Sequence, residues 1–204
     1  MGSIDSRAMD ALLLEGDLGR LPIETCAQPK ERPHGGPLAR PKPLLMVDID
    51  GVLSLFGPAE SSHWIARSDG AFHTIDGIPH FLSRTAAAHL LGLVGDFDLV
   101  WASGWEERAE EHLPRLLGLP KGLPFLRFER SPERGHAHWK LAAIEIYARR
   151  RPLAWIDDCL TEACHAWAVA RPVPTLLVQT DPERGLTSTE ASLLGSWAQE
   201  LARG

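Results

Sequence analysis

An α/β fold in three layers, with a central, mainly parallel sheet of five strands covered by helices on both faces, is predicted by three observations. Short apolar runs without polar alternation, such as Leu44-Leu45-Met46-Val47 and Leu153-Ala154-Trp155-Ile156, have the length and composition of strands buried on both faces. Between them lie segments whose apolar residues recur at helical spacing, the order that builds parallel strands joined by crossover helices. Several runs stop at acidic or hydroxyl residues, and the carboxyl ends of parallel strands are where open sheets place their ligands.

Bulk properties agree with one domain. A chain of 204 residues holds one well-filled core and would crowd two. Hydrophobic content of 44% and charged content of 24% are ordinary for a globular protein, and a formal charge of −6 provides no global attraction to nucleic acid or anionic lipid, so no stable nucleic-acid binding is expected. Cys26, Cys159 and Cys164 are odd in number and lack metal-ligand spacing, which favours a reduced protein without a zinc site. No apolar run approaches membrane length, and Asp5 and Asp10 beside the short apolar segment Ala11 to Leu14 do not suit a signal peptide, so a cytoplasmic protein with no membrane partner is expected.

Residues 1–43 are rich in proline, glycine and arginine and bury too little apolar surface to offset their ordering entropy, so they form a flexible extension, with Arg7 to Leu14 long enough for a short docking helix. The catalytic domain is expected over residues 44–204. Its first strand, Leu44 to Ile49, ends in Asp48-Ile49-Asp50-Gly51-Val52. Residues 55–77, polar with Phe56, Trp64, Phe72 and several glycines, are expected to be a loop or small hairpin over the strand end, too short for a separate lid domain.

Pro79 then opens a helix through Leu82, Ala86, Leu90 and Leu93 that ends at Gly95. A second strand, Phe97 to Ala102, terminates in Ser103-Gly104, and a helix from about Trp105, broken or restarted at Pro114, runs to Gly118. Phe125 to Phe128 is a short third strand. A polar loop, Ser131 to His138, precedes a helix over Trp139 to Arg150. The fourth strand, Leu153 to Ile156, ends in Asp157-Asp158. A helix near Thr161 to Ala170, a fifth strand at Thr175 to Val178 and a closing helix from about Ser188 to Leu201 complete the chain.

Four places offer chemistry: Asp48 with Asp50, Ser103 with Gly104, Lys140, and Asp157 with Asp158. Each alone also suits a structural role, since Asp-X-Asp-Gly often marks a solvated turn, a serine before a helix is usually a cap, and paired aspartates can cap the next helix. Lys140 carries extra weight because the chain has only four lysines: Lys30, Lys42, Lys121 and Lys140. Together and in this order the four places resemble the haloacid dehalogenase (HAD) superfamily of phosphohydrolases, in a small form with minimal or no cap. The resemblance spans Leu44 to about Val178; its first and last motifs are specific as a pair, and the middle two are degenerate.

The resemblance implies a Rossmann-like fold and a Mg²⁺-dependent phosphatase acting through an aspartyl-phosphate. Charge alone supports that chemistry, because a dianionic phosphate monoester repels an attacking carboxylate unless the site supplies cations. Asp48 is then the nucleophile, and Asp50 the acid that protonates the leaving oxygen and later the base that activates water. Ser103 and Gly104 hold phosphoryl oxygens, Lys140 neutralises charge, and Mg²⁺ is held by Asp48, Asp157, Asp158 and Asp50, the last through a nearby backbone carbonyl, with Asp158 favoured over Asp157 as the closer ligand. Arg134 is the alternative to Lys140.

His136 and His138 are either substrate contacts or solvated loop residues, and Cys159 is a packing residue. Trp101, Trp155, Trp167 and Trp197 are expected in the core, whereas Trp64 and Trp105 are placed to reach substrate, flanked by Arg67, Arg108, Arg127, Arg130 and Arg134. An open site admits nucleotide or polynucleotide phosphate ends, the preferred substrate class, as well as small phosphorylated molecules. Two other classes compete: a phospho-accepting receiver domain, disfavoured because its acidic pair comes first rather than last, and a non-catalytic binding module on the same fold.

Overall fold

The computed structural model describes residues 41–57, 69–128 and 137–204. Apart from Pro41, Lys42 and Pro43, the expected N-terminal extension lies outside these residues, as do Trp64, Arg67, Arg130, Arg134 and His136.

Among the described residues the main sheet has four parallel strands: β1 (Leu44–Val47), β5 (Asp98–Trp101), β6 (Leu153–Asp157) and β7 (Thr175–Gln179), in the spatial order β5-β1-β6-β7. β1 pairs with β5 on one side and with β6 on the other, Val47 facing Trp101 and Ile156. The chain therefore winds first one way and then the other from β1, and the crevice at a sheet's reversal point is where ligands of open α/β sheets bind. Asp48 sits there.

Side chains alternate across the sheet. Leu45, Val47, Leu99, Trp101, Ala154 and Ile156 enter one core with α1 (Arg84–Gly92), α2 (Glu107–Leu117) and α5 (Ser188–Arg203), through Leu90, Leu113 and Leu194. Leu44, Met46, Val100, Leu153 and Trp155 enter the other with α3 (Leu141–Ala148) and α4 (Glu162–Ala170), through Ile144 and Cys164. Burial on both faces explains why these strands read as unbroken apolar runs, and it confirms the three-layer Rossmann-like expectation. Trp101 and Trp155 are fully buried, and Trp167 and Trp197 pack against the two cores.

The sheet has four strands rather than five. At the expected third strand, pairing is limited to a parallel bridge between Trp101 and Phe125, with Trp101 N–H donating to Pro124 and Leu126 N–H to Trp101. Pro124 has no N–H to extend the ladder, and Phe128 gives its own to the Glu106 carboxylate at 3.1 Å.

A second departure follows β1. The segment containing Pro79 is a strand. β2 (Ser54–Leu55), β3 (Gly70–Ile75) and β4 (Ile78–Ser83) form a small antiparallel sheet in the order β2-β4-β3. The two-residue turn Asp76-Gly77 has positive φ at both positions, 52° and 79°, the backbone favoured in tight hairpins. Pro79 is tolerated because, among the described residues, β2 reaches only Phe81 and Leu82 of β4 and no strand pairs with β4 on that side at Pro79. The helix starts later, at Arg84, where Ser83 Oγ accepts the Ala86 N–H at 3.1 Å.

The helix expected from Trp105 begins at Glu107, after a turn closed by Glu106 N–H donating to Ser103 O, and it continues through Pro114 to a left-handed Gly118. A short 3₁₀ turn, Ala137–Lys140, leads into α3. No helix among the described residues is long and apolar enough to cross a membrane.

Candidate active site

The turn after β1 is fixed from two directions. Ile49 O accepts the N–H groups of Val52, Leu53 and Ser54, which bends the chain sharply, while Thr180 Oγ1 donates to Gly51 O at 2.9 Å and Leu186 N–H to Val52 O at 3.0 Å. Gly51 has φ of +70°, and a Cβ there would lie 2.5 Å from Asp158 Cγ, so both its backbone and its lack of a side chain are required. The bend separates the two acids: Asp48 points into the buried sheet end and Asp50 towards the small sheet.

Asp48, Ser103, Lys140, Asp157 and Asp158 meet at the ends of β1, β5 and β6 and the start of α3, lining one cavity of about 460 Å³ with Asp50 and Gly104. Lys140 Nζ is 2.7 Å from both Asp48 Oδ2 and Asp157 Oδ2, and all three groups are buried. Asp48 Oδ1 accepts the Ile49 N–H at 2.8 Å, and Asp157 Oδ1 the Cys159 N–H at 3.0 Å. Asp158 is less buried, and its backbone is steadied by Gln179 Nε2 donating to its carbonyl at 3.1 Å.

Three carboxylates this close repel one another. One oxygen each from Asp48, Asp157 and Asp158 falls within a group spanning no more than 4.8 Å. Burial and the neighbouring Asp48 charge push the Asp157 carboxyl up to about 7, against the opposing pull of Lys140. Asp158 is raised for the same leading reasons. For Lys140 the charges of Asp48 and Asp157 outweigh burial, the largest single influence, and the ammonium is held more firmly than usual. When all three acids are ionised, one ammonium leaves two negative charges uncompensated, and a hard divalent cation fits such an oxygen-only donor set.

The Asp50 carboxylate lies outside that cluster. Trp105 Nε1 donates to Asp50 Oδ2 at 3.0 Å, and His80 Nδ1 lies 3.8 Å from Oδ1. Although 49% of its side chain is solvent-accessible, Asp50 sits among the walls of the cavity, and that partial burial, with the Asp48 charge, raises its carboxyl above the usual range. Trp105, expected within reach of substrate, lines the cavity and gives its one side-chain donor to Asp50.

His80 had no assigned role, yet it lines the cavity from β4 and packs edge-on against Trp105, ring centroids 4.6 Å apart. Burial lowers its pKa, so the ring is neutral near pH 7. No motif spacing reveals it, because a hairpin brings it there. Arg108 lines the cavity but is engaged by Asp76 at 3.1 Å, and Arg127 pairs with Glu107 at 3.4 Å. Cys159 also lines the cavity; burial and the flanking acids push its thiol up to about 11, which suits an unreactive group. His138 is not among the lining residues.

No curated protein matches this chain. A family model does: residues 44–191, more than half of the chain, match the family described as the HAD domain in Swiss Army Knife RNA repair proteins. The match covers every element that builds the cavity, and it points to phosphohydrolase chemistry in general. With its reversal point, its paired acids and its buried lysine in the expected order, the chain belongs to this family of HAD domains.

Proposed function

We propose that the protein is a Mg²⁺-dependent phosphatase that hydrolyses phosphate monoesters through an aspartyl-phosphate on Asp48, with phosphorylated nucleic-acid ends as its preferred substrates. The carrying observation is the single ammonium of Lys140, 2.7 Å from both Asp48 and Asp157 beside a third carboxylate. Such a cluster has a deficit of positive charge that a metal can meet.

Mg²⁺ would be held by Asp48, Asp158 and a backbone carbonyl near Asp50, with Asp157 in support. Asp157 is the more deeply buried of the pair and Asp158 the more open to the cavity, which favours Asp158 as the direct ligand. When bound, the ion supplies positive charge that lets a dianionic phosphate approach a carboxylate.

A carboxylate oxygen of Asp48 forms a bond to phosphorus as the P–O ester bond breaks, and the departing electron pair stays on the ester oxygen. Asp50 gives that oxygen its proton, releasing an alcohol. The Asp50 carboxylate then takes a proton from water as the water oxygen bonds to phosphorus and Asp48 leaves, which restores both acids and releases inorganic phosphate. Ser103 and Gly104, at the end of β5, hold phosphoryl oxygens, and Lys140 offsets charge on substrate and intermediate. Lys140 Nζ, 2.7 Å from Asp48 Oδ2, also holds that carboxylate at the cavity.

Two features support a nucleic-acid end over a small metabolite: the family's description names RNA repair proteins, and Phe56 and Ile78, 47% and 55% exposed, give the cavity mouth an apolar wall suited to a base. The net charge of −6 disfavours tracking along a phosphate backbone, so recognition is confined to the terminal nucleotide. The test is turnover of an aryl phosphate, mononucleotides, sugar phosphates and 3′- or 5′-phosphorylated oligoribonucleotides, with Mg²⁺ or with chelator. Metal-dependent release of phosphate from wild type and none from Asp48→Asn is expected, with the oligonucleotides favoured. Absence of metal-dependent turnover across the panel would overturn the enzyme assignment.

A further inference from the structure

We propose that Trp105 and His80 are positioning residues for Asp50: the Trp105 indole N–H engages one carboxyl oxygen, leaves the other to deliver the proton to the leaving group, and is itself held in place by the His80 ring. The inference rests on the assignment of Asp50 as the acid and deepens it.

An aspartate side chain turns about a broad, roughly two-fold torsion, so a carboxyl without a partner presents either oxygen to the substrate. Trp105 Nε1 donates to Oδ2 at 3.0 Å, and indole has no other polar group with which to change partners. Oδ2 is thereby committed as an acceptor, and Oδ1 is the oxygen free to carry the proton. His80 Nδ1 stands 3.8 Å from Oδ1, beyond hydrogen-bond range, and is occupied instead by Ser54 Oγ at 3.1 Å. The edge-on contact with Trp105 at 4.6 Å then fixes the plane of the indole.

The support reaches further. Arg108 donates to Asp76 at the hairpin tip at 3.1 Å and to the carbonyls of Gly104 and Trp105 at 3.3 and 3.4 Å. One guanidinium thus ties the tip of the small sheet to the turn that carries Trp105. The small sheet builds the outer support of Asp50.

The test uses two esters that differ in their need for an acid. An alkyl phosphate requires protonation of its leaving oxygen, whereas p-nitrophenyl phosphate releases a stable phenolate. The readout is kcat/KM, which reports the steps up to departure of the leaving group and excludes the water attack common to both esters: Trp105→Phe should lower it for the alkyl ester by about ten- to a hundredfold, part of the usual general-acid contribution, and change it for the aryl ester less than about threefold. His80→Asn should shift the same ratio in the same direction by a smaller factor, and it serves where loss of the indole prevents folding.

Asp50→Asn, measured alongside, should show the largest preference for the aryl ester. Equal losses on both esters in Trp105→Phe and His80→Asn, beside a strong preference in Asp50→Asn, would overturn the positioning role while leaving the acid assignment intact. Equal losses on both esters in Asp50→Asn would remove the acid assignment, and the positioning role with it.

Discussion

A Cβ on Gly51 would lie 2.5 Å from Cγ of Asp158, although Gly51 belongs to the first acidic motif, in the turn after β1, and Asp158 to the last, just after β6. The first acidic turn therefore fits against the last, and the contact decides where the Asp158 carboxylate can stand. Gly51→Ala should impose left-handed backbone strain of about 1 kcal/mol and also displace the Asp158 side chain. The expected result is a lower unfolding midpoint and a Mg²⁺ affinity weakened by at least tenfold, read by denaturant titration and by metal-dependent stabilisation. An alanine variant with unchanged metal response would show that the contact does not place the ligand.

Lys140 is buried between Asp48 and Asp157 with its ammonium 2.7 Å from each. Lys140→Met leaves two buried carboxylates without their cation, a change that costs about 3 kcal/mol in comparable buried pairs. Urea unfolding of the metal-free variant should show that loss, and saturating Mg²⁺ should restore part of it, because the ion opposes the same repulsion. Turnover should fall by at least a hundredfold even when the variant is folded. A metal-free variant as stable as wild type would contradict the electrostatic role assigned to this lysine.

Asp157 is pushed up to about 7 by burial and by Asp48, and Asp158 is raised likewise, whereas the unfolded chain releases these protons near the ordinary aspartate pKa of about 3.9. Between these limits the native metal-free protein holds more protons than the unfolded chain, so these groups make stability fall as pH rises from about 4 to about 7. Metal binding runs the opposite way, since the ion requires ionised carboxylates. The rise in melting temperature on adding Mg²⁺ should be larger at pH 8 than at pH 5.5, with protons released on binding at the lower pH. A larger rise at pH 5.5 would contradict the assignment of these acids.

The parts of this molecule legible in the sequence were those where one stretch carries its own constraint. Leu44 to Val47 and Leu153 to Ile156 are buried on both faces, and that burial writes an unbroken apolar run ending at an acid. The expected loop or small hairpin after β1 is there, but its second strand was obscured because Leu82, Ala86, Leu90 and Leu93 keep helical spacing across a boundary set by the Ser83 cap, and Pro79 also suits a helix start. The bridge at Phe125 fell short of a strand because the adjacent Pro124 lacks a donor and the Glu106 carboxylate, distant in sequence, takes the Phe128 N–H. His80 and Trp105 were illegible as partners of Asp50 for the same reason: their meeting depends on the hairpin and on a turn 55 residues beyond the acid.

The central claim is that Asp48 itself carries the phosphoryl group, and chemical trapping tests it most directly. Protein quenched in acid during turnover with Mg²⁺ and a phosphate ester, then reduced with borohydride, converts an acyl phosphate of aspartate to homoserine. Mass spectrometry of the peptide spanning Asp48 should show homoserine at position 48 in the turnover sample and none in a sample without substrate. Turnover accompanied by an unmodified Asp48, or by reduction at another carboxylate, would contradict the account.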